Sequence, residues 1–250
     1  MNVSLYQAAA AMEGNLRRQQ MIAENMAAGS IPGFKKLDMS FSAMEPGLFE
    51  KGLNAASARQ LRYSFPAFNA QTNFSQGGMR PTNVPTDVAI DGPAFFEVQG
   101  PNGNVYTRDG EFRTGPTGQL TTKEGYPVLG MGGPIQLDSQ SSSSVSISPT
   151  GDVSQNGVAR GRLRLVEFSS LDQLRRVNNG YYTDPSQQAQ SADATRSSLR
   201  QGHLEFSNTT PSHEMSDLMM TLRHFEANQR VIQMQDERIG KMIQELSNVN

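Results

Sequence analysis

The sequence predicts an α+β protein: N- and C-terminal helices forming a coiled-coil-like bundle, joined to a mainly antiparallel β domain in the middle. Two observations set the ends, because apolar residues at each terminus recur in the four-three alternation of a coiled-coil seam. A third sets the middle, where the period drops to two and turn dipeptides separate short runs.

At the C-terminal end, from Met215 onward, Leu218, Leu222, Phe225, Gln229, Ile232, Asp236, Ile239, Ile243 and Leu246 keep the alternation, and only Gln229 and Asp236 are polar. Thr210 followed by Pro211 is a start signal, since proline at the first helical position forfeits no intrahelical bond. Only Gly240 opposes a helix that reaches Leu246. Glu226 with Arg230 and Glu237 with Lys241 add i,i+4 pairs of about 0.2–0.5 kcal/mol each, so packing must supply the rest. Such a helix would run on the order of 54 Å at 1.5 Å per residue, longer than a compact domain of this size covers. Its stripe calls for partners outside the chain.

At the other end Leu5, Ala9, Met12, Leu16, Ala23 and Met26, with Gln19 polar among them, mark a second seam, and Gly29 then Pro32 stop the helix. Ser4 and Gln7 have the spacing of a capping box. The simplest reading joins the two seams in one antiparallel bundle; amphipathic helices lying on a sheet are the alternative.

Between them, Asp87-Val-Ala-Ile alternates, Phe95, Phe96 and Val98 precede Asn102-Gly103, and Val105-Tyr-Thr-Arg leads into Asp109-Gly110. Thr117-Gly118 and Glu124-Gly125 continue a series of glycines seven or eight residues apart, the spacing of a β-meander or sandwich. Val145-Ser-Ile-Ser, Thr150-Gly151, Asn156-Gly157 and Arg162-Leu-Arg-Leu-Val extend it to Phe168, broken by a Ser139 to Ser144 loop. Leu171 to Val177 reads as a short helix, and Asp184 to Arg200 as polar connection. The expected division is an N-terminal axial helix over 1–35, an extended connector over 36–76, a β-rich outer domain over 77–205 and a C-terminal axial helix over 206–250.

Composition excludes several functions. A formal charge of −2 and a pI near 6.0 provide no basic field for phosphate backbones, so nucleic acid is not an expected partner. With 0 Cys there is no disulfide, thiol nucleophile or thiolate metal site. The run from Ala8 to Met12 is too short for a membrane span, and no basic lead with an apolar block marks a cleaved signal. A mean hydropathy of −0.52 and 0 Trp make the chain lean, as suits segments that order with partners. His213-Glu214 begins like the zinc motif HExxH, but Asp217 holds the second histidine's place. His203 and His224 read as solvated or interface histidines. Tyr106, Arg108, Asp109 and Glu111 read as paired charges on surface strands rather than an acid/base site. Neither an enzyme nor a cofactor site is expected.

Three stretches carry a family resemblance: AENMAAGSIPGFKK, TDVAIDGPAFFEVQGPNGNVYTRDGEFRTGPTGQLTTKEGYPVLG and QGHLEFSNTTPSHEMSDLMMTLRHFEANQRVIQMQDE. Over nearly the whole chain the sequence resembles the flagellar basal-body rod and hook proteins, and its length, short connector and phrases GPIQL and GRLRLV are nearest the proximal-rod members, next the distal-rod ones. Asn25, Gly33, Phe34, Asn208, Glu214, Phe225 and Asn228 stand at motif positions; Ala28 and Ile31 replace the family's usual Asn and Thr. The resemblance implies a subunit exported by the flagellar type III apparatus without a cleaved signal, and a basal-body rod crossing the periplasm. Its expected partners are copies of itself and neighbouring rod proteins, with no membrane insertion. The seam residues expected to carry assembly are Leu5, Met12, Leu16, Met26, Met215, Leu218, Leu222, Phe225, Ile232, Ile239, Ile243 and Leu246. Gln229 and Asp236 either set register or face solvent; Asn25 and Asn228 either bond local backbone or a neighbour. Gly33 with Phe34 is expected to turn and anchor the chain. A β-rich adhesin on a helical stalk is the reading from another class, although a stalk needs one continuous helix rather than a seam at each end.

Overall fold

The computed structural model describes residues 3–44, 65–138, 145–178 and 180–247. The chain forms two compact units, one of Met1–Met26, Leu37–Gln71 and Pro211–Asn250, the other of Ala27–Lys36 and Thr72–Thr210.

The first unit holds both helices. Helix α1, Val3–Ala27, draws on an alanine-rich, proline-free run, and a turn from Ile31 N to the Ala28 carbonyl at 3.0 Å follows it. Helix α2, Pro211–Ser247, starts at the expected proline and carries Glu214 in its first turn, where a carboxylate complements the helix dipole. Its 37 residues give a length of about 55 Å. Within the stretch expected as connector, Leu37–Met44 and Phe65–Thr72 pair as a two-stranded sheet. Their alternation is brief and flanked by Pro46, Gly47 and Gly52, which read as loop and lie outside the described residues, as do Ser139 to Ser144.

The second unit is β throughout, and every strand pair whose register is described is antiparallel. Its largest sheet runs, edge to edge, Arg175–Asn178, Tyr181–Thr183, Gly103–Thr107, Phe95–Gly100, Leu165–Phe168, Ser191–Asp193. Phe95 and Phe96 point to opposite faces and both are buried, because each face has its own core. Phe96 joins Val88, Ile90, Val98, Phe112 and Leu120 on one side; Phe95 joins Val166, Phe168 and Tyr182 on the other. Phe74 closes the second core with its ring 5.2 Å from that of Tyr182.

Several local expectations are corrected. The first hairpin turns at Pro101-Asn102, since Gly103 already pairs with Gly100. Asn156-Gly157 is the turn expected, with φ of 56° and 77° between paired Gln155 and Val158. The run after Arg162 is divided: Val158–Arg162 belongs to a three-stranded sheet and Leu165–Phe168 to the six-stranded one. Leu171 to Val177 is a 3-10 turn, Leu171–Gln173, followed by the edge strand Arg175–Asn178, for which Val177 suits a strand better than a helix. The polar connection contributes Ser191–Asp193 and Ser198–Gln201, an exposed edge strand and a short pairing strand that need no apolar pattern.

Candidate assembly site

The β unit begins and ends at one place. Gly33 N donates to the Glu205 carbonyl at 2.7 Å, and Asn208 N to that of Phe34 at 3.4 Å. The segment that follows α1 in sequence therefore runs beside the segment that precedes α2. Gly33 makes this approach possible: its φ is +67°, and a Cβ would stand 2.4 Å from the Arg108 carbonyl carbon. Phe34 is fully buried under the Arg176 guanidinium, 4.5 Å from its ring centroid.

Beneath these lies a buried cluster of three charges. Glu205 Oε1 accepts from Lys35 Nζ at 2.6 Å and from Gly77 N at 2.8 Å, while Oε2 accepts from Arg108 Nε at 2.9 Å. The remaining donors are used as well. Lys35 Nζ donates to the Ser75 carbonyl at 2.7 Å, and Arg108 to those of Gly92 and Ala94 at 2.6 and 2.7 Å. Burial holds the Lys35 pKa below the ordinary lysine value, opposed by Glu205 and reinforced by Arg108. One carboxylate thus ties together segments around residues 35, 77 and 108. Arg108, read from sequence as a surface charge, is 3% exposed, and its neighbour Asp109 has its pKa pushed up to about 7 by burial.

The two motif asparagines bond backbone. In the β unit, Asn208 Oδ1 accepts from Lys36 N at 2.8 Å, and Nδ2 donates to the Asn73 carbonyl at 2.8 Å. In the helical unit, Asn25 Oδ1 accepts from Leu37 N and Nδ2 donates to the Leu37 carbonyl, both at 2.9 Å. Each amide satisfies an extended segment that would otherwise compete for water.

Both helices are shielded along one heptad row and open along another. On α2 the shielded positions are Glu214, Leu218, Thr221, Phe225, Asn228, Ile232, Gln235 and Ile239. Met215, Leu222, Gln229, Asp236 and Ile243 are exposed, Leu222 at 43% and Ile243 at 62%. On α1 the shielded residues include Ala8, Met12, Asn15, Gln19, Ile22 and Met26, whereas Ala9, Glu13, Leu16, Gln20, Ala23 and Ala27 form the open row. The expected seams straddle this boundary. Met12, Met26, Leu218, Phe225, Ile232 and Ile239 lie on its shielded side; Leu16, Met215, Leu222 and Ile243 lie on its open side. The side chains of Leu5 and Leu246, and the box of Ser4 with Gln7, lie outside the described residues.

The family model for the flagellar hook protein FlgE/F/G D1 domain matches residues 89–155, and that for the flagellar basal body rod FlgEFG protein C-terminal matches 200–245. The flagellar basal-body rod protein FlgF of Mesorhizobium japonicum is 33% identical over 227 residues, 90% of each chain. FlgF of Salmonella typhimurium is 32% identical over 259 residues, 99% of each chain. The chain belongs to the flagellar basal-body rod protein family. FlgG of Bacillus subtilis is 29% identical over 260 residues, 96% of this chain and 97% of that one.

As a family member the chain is a structural rod subunit, not an enzyme. Its abortive zinc motif is a helical pair, with His213 Nδ1 3.2 Å from Asp217 Oδ2, and among the described residues no group of acidic, His or Cys side chains is placed to hold a metal. No helix among the described residues is long and apolar enough to cross a membrane. The C-terminal match takes in Glu205 and Asn208 with α2. Of the buried cluster, sequence reading singled out only Arg108. Lys35 and Glu205 left one signal, a charge standing next to buried phenylalanines in Phe34-Lys35 and Glu205-Phe206's neighbourhood of short strands.

Proposed function

We propose that this rod subunit assembles through its terminal helices into the axial tube of the basal body, with the β unit outside. The single observation behind this reading is the open row of α2, a helix of 37 residues that leaves Met215, Met219, Leu222, Met234 and Ile243 between 43% and 62% exposed. Apolar side chains in such a row favour a partner. The coiled-coil bundle belongs to this proposal, as do export by the flagellar type III apparatus and a rod that crosses the periplasm. Position in the proximal rod is supported by identities of 33% and 32% to the FlgF relatives against 29% to a FlgG. The β unit, with two cores and a locked junction, supplies a folded body whose ends order on addition.

Limited proteolysis of the purified full-length chain, with fragment masses read by mass spectrometry, tests the coupling of order to assembly. Removal of both helical ends from a resistant β unit is the expected result. Ends as resistant as the β unit would mean a self-contained bundle and overturn it.

A further inference from the structure

We infer that the open row of α1 packs against the open row of α2 of a second copy of this chain, while the shielded rows serve the subunit itself. The inference rests on helix-mediated rod assembly and adds which face of each helix meets the neighbour. The division is the same on both helices. Ala9, Leu16 and Ala23 are exposed on α1, one position round from shielded Ala8, Asn15 and Ile22; Leu222, Gln229 and Asp236 are exposed on α2, one position round from shielded Thr221, Asn228 and Gln235. The row between, Met12, Gln19 and Met26 on α1 and Leu218, Phe225, Ile232 and Ile239 on α2, is partly covered and borders both faces. Each helix therefore carries two adjoining seams of the same 3.5-residue period, and a single chain covers one of them.

Side-chain size selects the occupant. The open row of α1 is small, with Ala9, Ala23 and Ala27 about a lone Leu16, whereas the apolar members of the α2 row are large, Met215, Leu222 and Ile243. Large side chains facing small ones interdigitate without voids; alanine against alanine would leave gaps, and large against large would crowd. The α1 face thus suits an α2 face and not itself. Because the two faces differ, the contact is heterologous and propagates to further copies instead of closing as a two-fold dimer.

The chain has 0 Cys, so engineered disulfides report without background. Leu16→Cys is combined in turn with Met215→Cys, Leu222→Cys and Ile243→Cys, and each variant replaces the native chain in cells from which basal bodies are isolated. Mild oxidation should give a disulfide-linked homodimer for at least one combination in basal bodies, and no intrachain disulfide in the purified chain. Ala23→Cys stands in for Leu16→Cys in any combination that fails to incorporate. The inference is overturned by an intrachain disulfide in the purified chain, by cross-linking only to a different protein, or by incorporated variants that form no interchain disulfide in any combination. Absence of the unsubstituted chain from isolated basal bodies would instead remove the rod reading on which the inference stands.

Discussion

Lys35 and Glu205, 170 residues apart in sequence, form an ion pair of 2.6 Å with side chains 1% and 0% exposed. Arg108 Nη2 lies 2.7 Å from the other carboxylate oxygen, so one anion serves two buried cations. Glu205→Gln would leave both cations without a counter-charge in a medium that solvates them poorly, an expected loss of about 3–5 kcal/mol. Lys35→Met should cost less, because Arg108 and Gly77 N still bond Glu205. Urea unfolding followed by tyrosine fluorescence checks the order, since Tyr106, Tyr126, Tyr181 and Tyr182 all lie in the β unit and the chain has 0 Trp. Equal losses for the two variants would show that Glu205 is not the centre of the cluster.

Two glycines should respond to alanine with opposite signs. At Gly33 the backbone is left-handed at +67°, and the new Cβ would meet the backbone of Arg108 at 2.4 Å and of Asp109 at 2.5 Å, atoms that cannot swing aside. Gly33→Ala should destabilise by well over ~1 kcal/mol. A Cβ on Gly240 meets nothing within 4 Å, and the residue sits inside α2. Gly240→Ala should stabilise the helix by about 1 kcal/mol. Circular dichroism melts of both variants separate the outcomes, and a gain at Gly33 would contradict the close approach.

What sequence made legible were features with local causes. Pro211 starts α2 because its missing N–H is not needed there, and Asn156-Gly157 turns because both residues tolerate positive φ. Arg108 was misread because a charged residue in a hairpin is ordinarily solvated; its burial depends on Glu205, which no local pattern connects to it. The seams were legible as to period and not as to division. Leu222 and Thr221 are neighbours on one helix, and only the folded chain shows which of the two is covered. The strand Ser191–Asp193 was missed because its side chains are all exposed and backbone pairing leaves no apolar imprint.

Asn208 should prove divisible into its acceptor and its donor. The oxygen takes the Lys36 amide at 2.8 Å, and the nitrogen bonds the Asn73 carbonyl at 2.8 Å and Ser75 Oγ at 3.1 Å. Asn208→Ala removes both and should cost about 1–3 kcal/mol while raising hydrogen exchange at the Lys36 amide. Asn208→Asp keeps an acceptor for that amide but turns a carboxylate oxygen toward the Asn73 carbonyl. It should lose stability while leaving Lys36 protected. Exchange followed by mass spectrometry distinguishes them; equal exposure of Lys36 in both variants would mean the oxygen is not what holds it.

Asp109 gives the β unit a pH dependence with a definite sign. Burial first, then Glu111 and Glu124, raise its pKa from 3.8 to about 7, against the Glu111 backbone N–H and Lys123, which lower it. The folded chain therefore binds a proton more tightly than the unfolded chain. That contribution to stability is fully present below pH 3.8 and is lost as pH rises through about 7. Asp109→Asn keeps an oxygen to accept from Glu111 N, now at 2.9 Å from Oδ1, and carries no charge to desolvate. The variant should be more stable than the parent at pH 8, and the difference should shrink on acidification toward pH 4, as the parent takes up its proton. Urea unfolding at pH 4, 6 and 8 reads this directly. A difference that is the same at all three would show that the Asp109 carboxyl ionises at its ordinary value and that its burial is relieved by water.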